Sequence, residues 1–227
     1  MIVSVVIPVG PYPDDQRWLG ECLESVRVQT HQADEVLLID DMAGLVAEAP
    51  PPLRIWRAPW RLGVAAAMNF GVALARNDLV FMLCADDTLH PECLERCLET
   101  YQEEPKGARD RSYYFVGVKY LDGRAVDEQY LPCGAAMVTK ELWRTCGGFP
   151  PEAASGAPDA ALISTMMVHS DAGRLVGVSE HDRACLYNYR SHGGSDSVRR
   201  ASWQGVILET RDLVTRLWEP PTWGRMS

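Results

Sequence analysis

Two pairs of adjacent carboxylates, each following an apolar run, are the clearest candidates for chemistry in this chain. The pairs are Asp40–Asp41 and Asp86–Asp87. Adjacent carboxylates repel each other unless a cation or hydrogen-bond donors neutralise them, and hard divalent ions bind one or two carboxylates together with substrate phosphates. The second pair therefore predicts either a metal site or an acidic turn that caps the next helix. The first pair predicts either an Asx-turn or a carboxylate that accepts N–H donors from a bound nucleobase.

The elements that must position these carboxylates alternate between strand and helix. Short β-branched runs predict buried strands, and apolar residues at helical spacing predict amphipathic helices. This alternation predicts a parallel sheet with helices on its faces, in which ligands bind at the carboxyl ends of strands. Pro8 and Val9 share that edge with both acidic pairs. In the first half, the predicted strands are 2–7, 35–39, 54–57 and 79–84, and the predicted helices are 14–29 and 64–76.

The second half of the chain is less regular, and its elements extend one mixed α/β domain rather than forming a second one. The helix predicted last in this half begins at Asp159, a good residue for a helix start. The predicted strands are 113–120, 131–139, 174–178 and 185–189, the predicted helices are 92–104, 140–146 and 159–170, and 147–158 is a predicted loop.

Composition and charge limit the class of protein. The chain has 227 residues, and 31 acidic against 22 basic residues give a net charge of −9. Such a surface repels phosphate backbones, which argues against general nucleic-acid binding. No run reaches about 18 apolar residues, and the N-terminus lacks the features of a signal peptide, so we expect a cytoplasmic protein without a transmembrane segment. The seven cysteines contain no CxxC pair, which favours buried free thiols.

Taken in order, several of these segments resemble the family-2 glycosyltransferases with the GT-A fold. The resemblance covers about residues 2–197 and rests on segments 3–8, 19–30, 35–41, 62–77, 79–87, 134–138, 147–149, 158–159 and 187–192. It implies a GT-A (Rossmann-like) α/β fold, with a mixed, mostly parallel sheet flanked by helices in a single domain at residues 1–198. Within that domain, residues 1–90 would bind the nucleotide-sugar and residues 91–198 would face the acceptor.

The resemblance also implies a function. A metal-dependent, inverting, hexosyltransferase-like enzyme would move a sugar from a nucleotide-diphospho-sugar, with UDP the expected nucleotide, to the hydroxyl of an unidentified acceptor. Mn²⁺ or Mg²⁺ would neutralise the leaving diphosphate, and a carboxylate would take the acceptor's proton. The implied base is Asp159, and the implied metal ligands are Asp86, Asp87 and His192, with Asp87 the principal one. The implied nucleotide-sugar contacts are Pro8, Val9, Tyr12, Asp40, Asp41, Arg61, Asn69 and Asp86.

Three positions depart from the family's pattern. Cys84 stands where an acidic residue often begins the metal motif, Gly10 where a base-stacking tyrosine is usual, and Pro158 where an acidic residue commonly precedes the base. Of these, Cys84 and Pro158 leave open a catalytically silent nucleotide-sugar-binding protein. A nucleotidyltransferase would also use paired carboxylates and a metal, but the residues after the first strand lack its glycine-rich phosphate loop.

Residues 199–227 lie beyond the resemblance. Apolar residues at helical spacing predict an amphipathic helix over 200–218, followed by a short tail. Its apolar face would pack on the domain, form a homodimer contact, or contact a membrane surface or the acceptor.

Overall fold

Four parallel strands bring the two acidic pairs to one edge of a sheet. The computed structural model describes residues 2–45, 51–121, 135–149, 172–176, 178–179, 182–183 and 185–192, with the backbone alone between 172 and 183. The four strands are β1 (Val3–Val9), β2 (Glu35–Asp40), β3 (Leu53–Arg57) and β4 (Leu79–Met82). β1 lies between β2 and β4, and β3 pairs with the outer side of β2. All residues of β1, β2 and β4 are buried, as expected for parallel strands that helices cover on both faces.

The second half of the chain continues the same sheet. Its strands are β5 (Thr88–Leu89), β6 (Ser112–Tyr120), β7 (Ala136–Thr139), β8 (Ala172–Val176), β9 (Val178–Ser179), β10 (Asp182–Arg183) and β11 (Cys185–Tyr189). The order is β3-β2-β1-β4-β7-β6-β11-β5, with β8 also paired to β6, while β9 and β10 form a separate pair. Because β7 is antiparallel to both β4 and β6, the sheet is mixed. The predicted fold class, a mixed and mostly parallel sheet in a single domain, is confirmed.

Helices cover the two faces of the sheet. They are α1 (Pro13–Arg27), α2 (Val64–Leu74), α3 (Cys93–Glu103), α4 (Lys106–Arg109) and α5 (Lys140–Cys146). Alternate residues of β1 pack with α1 and α3 on one face, while Val6 packs with α2 and α5 on the other. A Cβ at Gly71 would lie 2.1 Å from Val6 Cγ1, so glycine lets α2 approach β1 directly. No helix among the described residues is long and apolar enough to cross a bilayer.

A buried carboxylate at the amino ends of the strands explains one difference from the predicted elements. Glu35 Oε2 accepts hydrogen bonds from Ser4 Oγ and from the Arg76 backbone N–H, both 2.7 Å, and Arg54 pairs with Oε1. Burial raises the pKa of Glu35, but these donors more than offset it, so the pKa lies below its usual value. The predicted helix 64–76 ends at Leu74 because the Arg76 N–H is bonded to Glu35 rather than to a helix carbonyl.

The other predicted boundaries agree with the structure to within a few residues where the structure describes them. Helix 140–146 and strand 185–189 have the predicted bounds, whereas the predicted strand 174–178 is divided between β8 and β9. None of the described cysteines forms a disulfide. Asp159 and its predicted helix, Pro158 and the tail 199–227 lie outside the described residues.

Candidate active site

The carboxyl ends of β1 and β2 bring the first set of predicted residues together. Val9 pairs with Asp40 in the parallel register, and the Asp41 N–H donates to the Val9 carbonyl at 2.9 Å. Pro8 and Val9 are buried within the strand. Any contact that these two residues make with a ligand therefore goes through the backbone where β1 ends.

Asp40 forms the Asx-type turn that the sequence left open. Its Oδ1 accepts from the N–H groups of Ala43 (2.7 Å) and Gly44 (3.1 Å), and its Oδ2 accepts from the Leu45 N–H (2.9 Å). The carboxylate is buried. Both of its oxygens are bound to N–H groups of its own loop, and Arg57 Nε lies 4.0 Å from Oδ2, so the effect of Asp40 at this edge is to fix the shape of residues 41–45.

Asp41 joins the end of β2 to the segment that leads into α2. Oδ1 accepts from the Leu62 N–H (2.6 Å), and Oδ2 accepts from the Gly63 N–H (2.8 Å) and from Arg61 Nη1 (2.6 Å). Arg61 is still 39% exposed, and its guanidinium lies 5.1 Å from the centre of the exposed Tyr12 ring. At this end of the site, the accessible groups are thus the Tyr12 ring and the Arg61 guanidinium rather than the two carboxylates.

Asp86 and Asp87, although adjacent, have different surroundings. Asp87 is 1% exposed, accepts from the Tyr187 hydroxyl at Oδ2 (2.6 Å), and accepts from the Arg190 N–H at Oδ1 (2.7 Å). Burial, and next the charge of Asp86, raise the pKa of Asp87 well above its usual range. The Asp86 side chain is 17% exposed. Asp86 therefore has the more accessible oxygens, while Asp87, the residue expected to be the principal metal ligand, has both of its oxygens bound within the protein.

The segment after β11 crosses α1 and meets Asp86. His192 Nε2 lies 2.9 Å from Asp86 Oδ2, its Nδ1 lies 3.3 Å from Asp14 Oδ2, and its ring centre lies 4.5 Å from that of Trp18. Arg190 also contacts both Trp18 and Asp86. Its guanidinium lies 4.7 Å from the centre of the Trp18 ring, and its Nε donates to the Asp86 carbonyl at 2.9 Å. His192, which the resemblance implies as a metal ligand, thus lies in direct contact with the Asp86 carboxylate.

The residues present fit a divalent cation. The sulfur of Cys84 and one carboxylate oxygen each from Asp86 and Asp87 lie within 4.8 Å of one another, and atoms that share one ion are separated by distances of this order. Two carboxylates and a thiol, with an imidazole against one carboxylate, form a set of oxygen, sulfur and nitrogen donors. The repulsion between the adjacent charges of Asp86 and Asp87, which raises the pKa of Asp87, is what a cation would reduce.

Sequence reasoning missed Asp15. Its Oδ2 accepts from the Gly10 N–H at 2.9 Å, which holds the chain where β1 turns into α1. Burial raises its pKa to about 6, helped by the charge of Asp86 and opposed by the Gly10 hydrogen bond and by the charges of Arg61 and His192. In the sequence, Asp15 is visible only as a first-turn acid of a helix, a common feature that indicates the helix dipole rather than a site.

Asn69 has a structural partner. Its amide nitrogen donates to the Phe149 carbonyl, and its amide oxygen accepts from the Phe149 N–H, both at 2.9 Å. A Cβ at Gly148 would lie 2.4 Å from that oxygen. These contacts join α2 to the segment after α5. For Asn69 to contact the donor as predicted, its side-chain amide would have to bind the donor in addition to, or in place of, the Phe149 backbone.

Comparison with known proteins agrees with the fold. The model of the family described as Glycosyl transferase family 2 matches residues 4–148. An uncharacterized glycosyltransferase of Haemophilus influenzae is 30% identical over 160 residues, which are 64% of this chain and 55% of that protein. Glycosyltransferase GlyG of Streptococcus pneumoniae is 26% identical over 121 residues, which are 50% of this chain and 39% of that protein. The chain thus spans about half, or less, of the length of these relatives.

Solved structures of S. aureus TarS have a similar fold. Residues 1–349 of TarS in complex with UDP-GlcNAc superpose with a TM-score of 0.75 at 16% identity, covering 95% of this chain and 66% of that one. The complex with UDP gives a TM-score of 0.65 at 16% identity, covering 85% and 61%. At this identity the similarity concerns the architecture.

Proposed function

Because the chain belongs to glycosyl transferase family 2, we propose that it moves a sugar from a nucleotide-diphospho-sugar to an acceptor hydroxyl with the help of a divalent cation. The observation that carries the proposal is that the Asp86–His192 contact and the Asp41–Arg61 pair both lie at the carboxyl ends of parallel strands in one sheet, where ligands of such sheets bind. The UDP-GlcNAc bound to TarS supports UDP as the nucleotide. The chain would then be an inverting, hexosyltransferase-like enzyme.

Asp86 is the principal candidate for holding the metal, Mn²⁺ or Mg²⁺. Asp87 and Cys84 have ligand atoms within reach of it, and His192 contacts its carboxylate. When bound, the ion would neutralise the charge that develops on the diphosphate leaving group. We infer that Asp87 acts mainly by fixing the loop after β4, because the Tyr187 hydroxyl and the Arg190 N–H already bind both of its oxygens.

The donor's nucleotide is proposed to contact Tyr12 and Arg61, which offer an aromatic face and a guanidinium at the surface. Guanidinium groups bind phosphates well, and aromatic rings stack on bases. Asp40 and Asp41 hold the loops that shape this pocket, and Pro8 and Val9 line it with backbone groups.

Asp159 is proposed as the base that takes the proton from the acceptor hydroxyl. With one base and a single displacement, the anomeric centre is inverted. We propose residues 1–198 as the catalytic domain, in which 1–90 bind the donor and 91–198 face the acceptor. For 199–227 we propose a helix that packs on this domain or joins two copies, and for the chain a cytoplasmic location.

A panel of nucleotide-sugars tests the proposal. Purified protein is heated with each candidate donor, with and without Mn²⁺. The correct donor raises the free energy of unfolding by RT ln(1 + [L]/Kd), and the unfolding temperature rises with it. Chromatography then follows the released nucleotide when candidate acceptors are added. Nucleoside diphosphate and a glycosylated product are expected. Metal-dependent binding without turnover on any acceptor would favour a silent binding protein, and release of pyrophosphate would favour a nucleotidyltransferase.

A further inference from the structure

Cys84 is held in a defined position at the end of β4. Its backbone N–H donates to Tyr187 Oη at 3.4 Å, and its carbonyl accepts from the Asp87 N–H at 3.2 Å and from Cys22 Sγ at 3.5 Å. These contacts fix the backbone on both sides of the residue. The side chain is half-buried, unlike those of Cys22, Cys93, Cys97 and Cys146, which are buried in the core.

The sulfur lies where it can share an ion with the carboxylates. Cys84 Sγ and an oxygen from each of Asp86 and Asp87 are within 4.8 Å of one another. Ligand atoms on one metal ion lie at about 2.0–2.6 Å from it, so two such atoms can be separated by up to about twice that length. No large movement of the backbone is needed for sulfur and carboxylate to bind one cation.

A sulfur ligand changes which cation binds. Mg²⁺ is a hard ion that takes oxygen ligands and retains its water, whereas Zn²⁺, Co²⁺ and Cd²⁺ accept thiolate readily. A carboxylate at position 84 would make the cluster all-oxygen and suit Mg²⁺ or Mn²⁺. Cysteine at this position makes it a mixed sulfur and oxygen set.

We propose that Cys84 is a ligand of the metal at this site and gives the site a preference for thiolate-binding divalent cations, of the Zn²⁺ and Co²⁺ class, over Mg²⁺. The inference rests on the proposed function, which places a metal at Asp86. On binding, the thiol releases its proton to solvent and the sulfur lone pair forms the metal bond. The bound cation and Arg190, whose Nε is bonded to the Asp86 carbonyl, offset the negative charge that the thiolate adds.

The test uses CdCl₂ and CoCl₂ as probes on the full-length, metal-free protein. Ultraviolet absorption reports a thiolate-to-metal charge-transfer band, and calorimetry gives the affinities for Cd²⁺ and Mg²⁺. Wild type should show the band on adding one equivalent of ion. The variants Cys84→Ser and Cys84→Asp should lack it, and in Cys84→Asp the ratio of Cd²⁺ to Mg²⁺ affinity should fall by about tenfold or more.

The control variant is Cys185→Ser, because Cys185 is also half-buried but lies in β11 outside the cluster. It should keep both the band and the affinity ratio, and circular dichroism checks that each variant is folded. Metal binding to wild type without a band, or an unchanged ratio in Cys84→Asp, would overturn the role of Cys84 and leave the proposed function standing. Absence of any metal binding, with or without a nucleotide-sugar, would overturn both.

Discussion

At the scale of single residues, the two neighbouring carboxylates after β4, Asp86 and Asp87, have different surroundings and therefore suit different roles. Asp86 is partly open to solvent and contacts His192. Asp87 is buried and binds the hydroxyl of Tyr187 and the backbone of Arg190. Because Asp86 is accessible to solvent, it can bind an ion that exchanges with solvent. Because Asp87 is buried and accepts from two donors, it fixes the conformation of the loop.

Alanine substitutions should separate these two roles. Asp86→Ala should remove Mn²⁺-dependent binding of the donor, measured by calorimetry, with little change in the free energy of unfolding. Asp87→Ala should lower that free energy by about 1–3 kcal/mol, because it leaves the buried Tyr187 hydroxyl and the partly buried Arg190 N–H without their acceptor. If Asp86→Ala binds the donor with wild-type affinity, Asp87 rather than Asp86 is the principal ligand of the metal.

The raised pKa of Asp15 predicts a pH dependence of stability. Its pKa is about 6 in the folded protein against 3.8 for an ordinary aspartate, so between these values the folded state binds more protons than the unfolded state. Stability then falls as the pH rises from about 4 to 6. Asp15→Asn keeps an acceptor for the Gly10 N–H and should make this fall smaller, measured by urea unfolding across that range; the part due to Asp87, whose pKa is also raised, should remain. Parallel pH profiles for the two proteins would contradict the assignment.

If Asp159 is the catalytic base, its substitution should lower turnover without changing the affinity for the donor. Asp159→Asn should lower turnover by about two to four powers of ten, the usual contribution of general-base catalysis. Donor affinity should stay the same, since a group that faces the acceptor does not hold the diphosphate. If Asp159→Asn keeps near wild-type turnover, Asp159 is not the base, and Glu152 and Asp171 are the next residues to substitute.

At the scale of elements, α2 owes its position to a close approach that only glycine permits. Gly71→Ala should lower the free energy of unfolding by about 1–3 kcal/mol, because a methyl group there overlaps Val6 and pushes α2 from β1. Gly20→Ala is the matched control, since Gly20 lies within α1 with open space around it. It should raise stability by about 0.5–1 kcal/mol. Equal effects of the two substitutions, measured by denaturant unfolding, would show that the close approach is not what fixes α2.

The elements were predictable where local sequence decides them, and the site was predictable in part. The bounds of α5 follow from local caps: at its start Thr139 Oγ1 accepts from the Leu142 N–H, and at its end Gly147 takes the left-handed conformation. The end of α2 was not predictable, since it depends on Glu35, which is distant in sequence. The sequence likewise could not separate Asp86 from Asp87, because the groups that bury Asp87 come from β11 and the residue after it.

At the scale of the whole molecule, all the residues that we propose for the donor and metal sites lie between Pro8 and His192. Removing residues 199–227 should therefore leave Mn²⁺-dependent donor binding unchanged, measured by calorimetry on the shortened and full-length chains. Light scattering on both chains reports whether the tail joins two copies, in which case the mass falls to that of a monomer. Loss of folding on truncation would show instead that the tail helix belongs to the core and would contradict the boundary at residue 198.

The position of β7 between β4 and β6 has a consequence for synthesis on the ribosome. β4 (Leu79–Met82) is fully apolar and remains an open sheet edge until β7 (Ala136–Thr139) has been made. Ribosomes add roughly 5–20 residues per second, so the nascent chain presents this edge for several seconds. Apolar edges without charge or proline recruit other strands. Pauses in translation between residues 83 and 139 would lengthen that exposure, and this stretch of the message is where codon choice bears most on the yield of folded protein.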